Sequence, residues 1–170
     1  MVARLRARYH SGAPAAPIQI MNVVAAIIER DGQVLICQRK AGQRFAGKWE
    51  FPGGKVEAEE EFKAALAREL QEELAITASI GDEVARYEYA YNGCRPLQLI
   101  FFQVTEFVGE PVNVIFEQIR WEKINNLPAY DFLDGDIEFV AYLAGDSRKS
   151  TLRSRFRRSD NSRSTKSKET

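Results

Sequence analysis

Apolar and polar positions alternate in short runs over most of this chain, and recur at every fourth residue over a single long stretch. Ile18–Glu29 and Gln33–Arg39 read as strands joined at Asp31-Gly32, a dipeptide suited to the positive φ angles of a tight hairpin turn. Lys40–Lys48 is a polar loop, and Trp49–Phe51 is a short strand entering Pro52-Gly53-Gly54. Phe62, Leu66, Leu70 and Leu74 form an apolar edge along a helix expected over about Glu60–Leu74, so that this edge packs on the sheet. Ile76–Tyr91 reads as one long strand or a strand pair. Asn92-Gly93 marks a second hairpin, with Leu97–Val108 returning. Gly109-Glu110-Pro111 breaks that strand, Phe116–Trp121 is the last one, and Asn125–Asp131 is a loop. Asp134 is expected to cap a closing helix over Gly135–Leu143. Strands around a central helix, with a second helix at the end, predict an α/β fold whose mixed sheet is covered on both faces.

Charge changes this picture by dividing the chain. Lys+Arg and Asp+Glu balance at 24 each over 170 residues, yet residues 11–143 carry 12 basic against 21 acidic side chains. The last 27 residues carry 9 basic and 3 acidic ones, and Arg4, Arg6 and Arg8 add to the first ten. The expected organisation is a loose leader over 1–17, one domain over 18–144, and a disordered basic Ser/Arg/Lys-rich tail over 145–170. An acidic body suits the capture of metal ions and metal-bound polyphosphate, and argues against a nucleic-acid-binding body. Cys37 lies in an apolar run and reads as a buried free thiol; Cys94 completes no ligand spacing with it. The sole histidine, His10, falls in the leader, which excludes a histidine triad or a His/Cys zinc site within the domain. The longest apolar stretch, around Val23–Ile28, is too short to span a membrane, and a cytoplasmic location is expected.

The candidate chemistry lies in Gly53–Ile76, where seven glutamates fall within 24 residues. On a helix, Glu69, Glu72 and Glu73 stand at i, i+3 and i+4 and project from one face. Carboxylates about 4 Å apart repel by roughly 4 kcal/mol at an effective dielectric near 20. Arg68 within an exposed helix offsets only about 0.3–0.5 kcal/mol of this. A hard divalent cation is the natural counter-charge, and a solvated acidic face is the plain alternative.

The wider spacing resembles the Nudix box of hydrolases that cleave nucleoside diphosphates linked to another group. Gly54, Glu60, Arg68, Glu69, Leu70, Glu72, Glu73 and Ile76 match the pattern, and Ala75 stands where glycine is usual. The approach Trp49-Glu50-Phe51-Pro52-Gly53-Gly54-Lys55-Val56 is similar to the MutT-like branch, and the likeness covers roughly residues 22 to 143. A left-handed helix end costs a residue with a Cβ about 1–2 kcal/mol, so Ala75 puts the helix terminus in doubt. Glu59 likewise occupies a position where these relatives often carry glycine.

The resemblance implies an α/β/α sandwich and Mg²⁺-dependent attack of water on a phosphoric anhydride, with Mn²⁺ able to stand in. It implies that Glu72, Glu73 and the Gly53 carbonyl hold the metal, and that Glu69 is general base or further ligand. Arg68 orients Glu69, and Glu60 clamps Arg68 from the loop before the helix. Glu117 is the candidate for a late metal-ligating glutamate, with a surface strand residue as the other reading. Arg39 is the expected polyphosphate contact. Phe51 is either a base contact or a core side chain, and Asp136 either reads the base edge or stabilises a helix start. Tyr87, Tyr89 and Tyr91 alternate along one face, which favours cross-strand packing over base stacking.

The expected activity is therefore hydrolysis of a nucleoside triphosphate, 8-oxo-dGTP or a cytidine nucleotide, to a monophosphate and pyrophosphate. Other Nudix substrates, ADP-ribose or dinucleotides, form the alternative. A non-catalytic module that senses nucleotides, or binds nucleic acid through Arg148–Lys168, forms a third. No membrane partner is expected, and monomer and homodimer both stay open.

Overall fold

A computed structural model describes residues 20–145. The leader expected over 1–17, the start of the first strand at Ile18 and the tail beyond Gly145 lie outside the described residues. Strand β1 (Met21–Ile27) is followed by β2 (Glu29–Arg30) and β3 (Gln33–Gln38). Asp31 and Gly32 both take positive φ, 53° and 73°, as the hairpin between β2 and β3 requires. Then come β4 (Trp49–Glu50), β5 (Gly53–Lys55), helix α1 (Phe62–Leu74), the single long β6 (Thr77–Tyr89) and its partner β7 (Leu97–Val108). Strand β8 (Gln118–Lys123), a 3-10 helix (Ile124–Ala129) and helix α2 (Ile137–Leu143) complete the order.

The strands form two sheets. One has the order β5-β1-β7-β6 and is mixed, because β1 pairs in parallel with β7 while its other neighbours run antiparallel. The other is antiparallel, with β8 along one edge of β3, and β2 and then β4 along the other. Strand alternation divides the apolar residues between two cores. Val24, Leu35, Cys37, Ile100 and Phe102 face α1 and pack with Leu66, Leu70 and Leu74. Ile27, Val34, Ile36, Leu99 and Phe101 face the opposite way, toward Phe132, Phe139 and Val140. The result is an α/β/α sandwich, and no helix among the described residues is long and apolar enough to cross a membrane.

Four local expectations need correction. The helix begins at Phe62, leaving Glu60 in the turn before it. Asp134 does not cap α2; the boundary residue is Asp136, and Asp134 instead accepts from Lys48 Nζ at 3.1 Å. Residues expected as a loop from Asn125 form the 3-10 helix, and the last strand is displaced two residues toward the C-terminus. Ala75 does close α1 in the left-handed region, at φ 55° and ψ 31°. The amides of Val112 and Val114 satisfy the final carbonyls, of Leu74 at 2.9 Å and Glu73 at 3.1 Å, so the helix end is held from outside.

Candidate active site

Two glycines let the edge of β5 lie against the acidic face of α1. Gly53 has φ +143°, and a Cβ there would stand 2.2 Å from the Val24 carbonyl oxygen of the neighbouring strand. A Cβ on Gly54 would stand 2.4 Å from the carboxyl carbon of Glu69. The Gly53 N–H donates to Glu73 Oε2 at 2.9 Å. Glycine is thus required twice, once by backbone packing and once by a carboxylate.

Arg68 organises the same face. Its Nε and Nη2 each donate to Glu60 at 3.0 Å, and its Nη1 donates to Glu69 at 2.9 Å. Nη2 also reaches the Lys55 carbonyl at 3.3 Å, and Glu72 lies 3.7 Å from Nη1. Hydrogen bonds to Glu60, then to Glu69, raise the Arg68 pKa above its ordinary value, and Arg68 lowers that of Glu60. The expected loop-to-helix clamp is present.

Glu73 is the buried member of the group, at 8% exposure. Burial pushes its pKa up to about 8; the Gly53 amide opposes this, and the charges of Glu50 and Glu69 add to it. Glu72 points toward solvent with 62% of its side chain exposed. Glu117 is exposed; its backbone N–H donates to the Gln38 carbonyl at 2.8 Å, and no hydrogen bond ties its carboxylate to the box.

Glu50 is a candidate site residue that the sequence reading missed. It accepts from Arg39 Nη1 through both oxygens, at 2.9 and 2.8 Å, and burial raises its pKa against the Arg39 charge. The signal was alternation: Trp49 and Phe51 are both buried on the α2 side, so the residue between them must face the α1 side and its acids. The Cys37 thiol, fully buried as expected, is pushed up by burial and then by Glu73 and Glu50.

Among the described residues, no three acidic, thiol or imidazole side chains converge closely enough to ligate one ion as they stand. The donor chemistry nevertheless fits a hard divalent cation. A carboxyl whose pKa burial pushes up to about 8, with the charges of two others adding to it, is relieved by positive charge, and carboxylate and carbonyl oxygens are the ligands such ions take.

Beside this cluster lies a cavity of about 370 Å³. Gly53, Gly54 and Lys55 border it, as do Arg39, Phe51 and Asp136. Arg39 Nε donates to the Arg44 carbonyl at 2.8 Å. With Nη1 on Glu50, Nη2 is left without a hydrogen-bond partner among the described residues. Phe51 is 3% exposed and packs edge-on to Phe101 and Phe139, so it belongs to the core as well as to the cavity wall. Asp136 is buried, and burial followed by the Glu50 charge pushes its pKa up to about 8, against a hydrogen bond from the Phe51 amide and the Arg39 charge. Tyr87 packs on Phe101 and donates its hydroxyl to the Gly135 carbonyl at 2.7 Å, which agrees with the packing role expected of it.

The chain resembles known proteins over this same region. The NUDIX domain family matches residues 19–143. A CTP pyrophosphohydrolase of Escherichia coli is 48% identical over 128 residues, covering 75% of this chain and 94% of the relative. An 8-oxo-dGTP diphosphatase of Haemophilus influenzae is 34% identical over 130 residues, covering 76% and 95%. The solution structure of the E. coli ORF135 protein superposes with a TM-score of 0.69 at 36% identity, covering 82% of this chain and 99% of that one. With the glycine turn, the arginine clamp and the buried glutamate in their expected order, these likenesses show that the chain belongs to the NUDIX family and is a Nudix hydrolase.

Proposed function

We propose that this chain hydrolyses a nucleoside triphosphate to a nucleoside monophosphate and pyrophosphate with Mg²⁺, and that 8-oxo-dGTP or a cytidine nucleotide is its preferred substrate. The observation that carries this reading is the contact of the glycine turn with buried Glu73 and with Glu69, at the border of a cavity large enough for a small ligand. The names of the relatives support the substrate class.

In this reading Glu72, Glu73 and the Gly53 carbonyl hold the ion, with Glu117 as a further candidate ligand. When bound, the ion supplies counter-charge to phosphate oxygens and lowers the pKa of water. Glu69, oriented by Arg68, accepts the proton of the attacking water. The water oxygen bonds to phosphorus, the anhydride P–O bond breaks, and pyrophosphate leaves with the electron pair. Glu60 fixes Arg68, and Arg39 offers Nη2 to a phosphate oxygen while Glu50 holds its other side. Asp136, its pKa pushed up to about 8, offers a base edge both a donor and an acceptor when protonated.

A panel of canonical and oxidised triphosphates with Mg²⁺, with products resolved, tests the reading. Pyrophosphate release that falls on the order of a hundredfold or more in Glu69→Gln and Glu73→Gln supports it. No release from any nucleotide, or full activity in both variants, overturns it.

A further inference from the structure

The loop from Lys40 to Lys48 is polar except for one aromatic ring, and that ring sits on a backbone conformation that bulky side chains avoid. Phe45 has φ 60°, in the left-handed region. The conformation is held by its surroundings: Lys48 N–H donates to the Phe45 carbonyl at 3.2 Å, and Arg39 Nε to the Arg44 carbonyl at 2.8 Å. The Phe45 ring lies 4.7 Å from that of Tyr91 with 30° between their planes. The Arg44 guanidinium covers Phe45 at 4.6 Å and donates to Cys94 Sγ at 2.9 Å. Tyr91 in turn accepts the Gly135 N–H on its hydroxyl at 3.3 Å, one residue before Asp136. Both rings border the cavity, and neither belongs to either hydrophobic core. Core packing therefore does not account for the strained ring, and strain of this kind marks functional positions.

We propose that Phe45 and Tyr91 form an aromatic platform on which the nucleobase stacks, and so set which bases this enzyme accepts. The inference rests on the reading of the cavity as a nucleotide pocket and names its base-selecting residues. Gly53, Gly54 and the neighbouring carboxylates suit the metal-bound phosphates, and Asp136 meets the edge of a base. The flat faces of the base then need an apolar partner beside Asp136, which the Tyr91–Gly135 hydrogen bond supplies. Every base has such a face, and stacking strength differs between bases, so larger purine rings gain most.

Steady-state kinetics on the full chain with Mg²⁺ test this, using one purine and one pyrimidine triphosphate and inorganic tripolyphosphate as competing ligand. Phe45→Ala is expected to raise KM roughly 10-fold, more for the purine, with kcat within about twofold. Inhibition by tripolyphosphate is expected to stay unchanged, and Phe45→Trp to restore KM. An unchanged KM in Phe45→Ala overturns the proposal. So does an equal rise for both bases accompanied by weaker tripolyphosphate inhibition, which assigns the loop to the phosphates alone. Failure of the unaltered protein to turn over any nucleotide removes the functional reading itself, a result distinct from either of these.

Discussion

Glu60 grips Arg68 from outside the helix: both guanidinium nitrogens Nε and Nη2 reach it at 3.0 Å, although the two residues stand eight apart in sequence. On a straight helix that separation is out of reach. It closes here because Glu60 occupies the turn before Phe62, and the remaining Nη1 is thereby aimed at Glu69. Arg68→Lys keeps the charge but loses the fork that serves both carboxylates. It is expected to lower kcat on the order of 10- to 100-fold with a smaller change in KM, as steady-state assays with Mg²⁺ would register.

The adjacent glycines of the turn are expected to fail in different ways. Alanine at Gly53 meets the Val24 backbone at 2.2 Å in a conformation unfavourable to any side chain, so Gly53→Ala should lose more than about 1 kcal/mol and melt several degrees lower. Alanine at Gly54 meets the end of the Glu69 side chain, which can move aside. Gly54→Ala should therefore retain most stability while kcat drops on the order of a hundredfold. Thermal melts alongside kinetics separate the two.

Ala75 and Glu59 hold left-handed backbone at φ 55° and 63° without being glycine. Replacing either by glycine relieves a strain of about 1–2 kcal/mol and adds back some unfolded-state entropy. Each substitution should stabilise the fold by about 0.5–1 kcal/mol, read from urea denaturation midpoints at unchanged slope.

Asp136 gives stability a pH dependence. Its folded pKa near 8 stands above the unfolded value, so between about pH 4 and pH 8 the folded chain keeps a proton that the unfolded chain has released. Its contribution to stability is fully present below that window and is lost as pH rises through the folded pKa. Asp136→Asn is neutral throughout, so its melting temperature relative to the unaltered protein should be higher at about pH 8.5 than at about pH 5. Equal differences at both pH values would show that Asp136 ionises freely in the folded chain.

Much of this architecture could be read locally. Asp31-Gly32 and the four-residue apolar period of α1 declare themselves within a few residues, and the box spacing fixes which helix face is acidic. The parallel pairing of β1 with β7 had no such signal, because it joins Val24 to Ile100 across most of the domain. Glu50 was hidden for a related reason: its meaning depends on Arg39 and Glu73, brought to it from other elements. Asp134 resembled a helix cap by type and position, but Lys48, from a distant loop, claims its carboxylate. Tertiary partners, rather than propensity, decided each of these.

The amides of Phe51 and Gly53 donate to Asp136 and Glu73 respectively, the two buried carboxyls among the described residues. Two residues of fully extended chain reach at most about 7 Å. Covalent geometry thus works as a ruler between the carboxyl proposed to meet a base edge and the carboxyl proposed to hold the metal. A chain lengthened by one residue between Phe51 and Gly53 would let the two amides, and the carboxyls they hold, stand up to about 3.5 Å further apart.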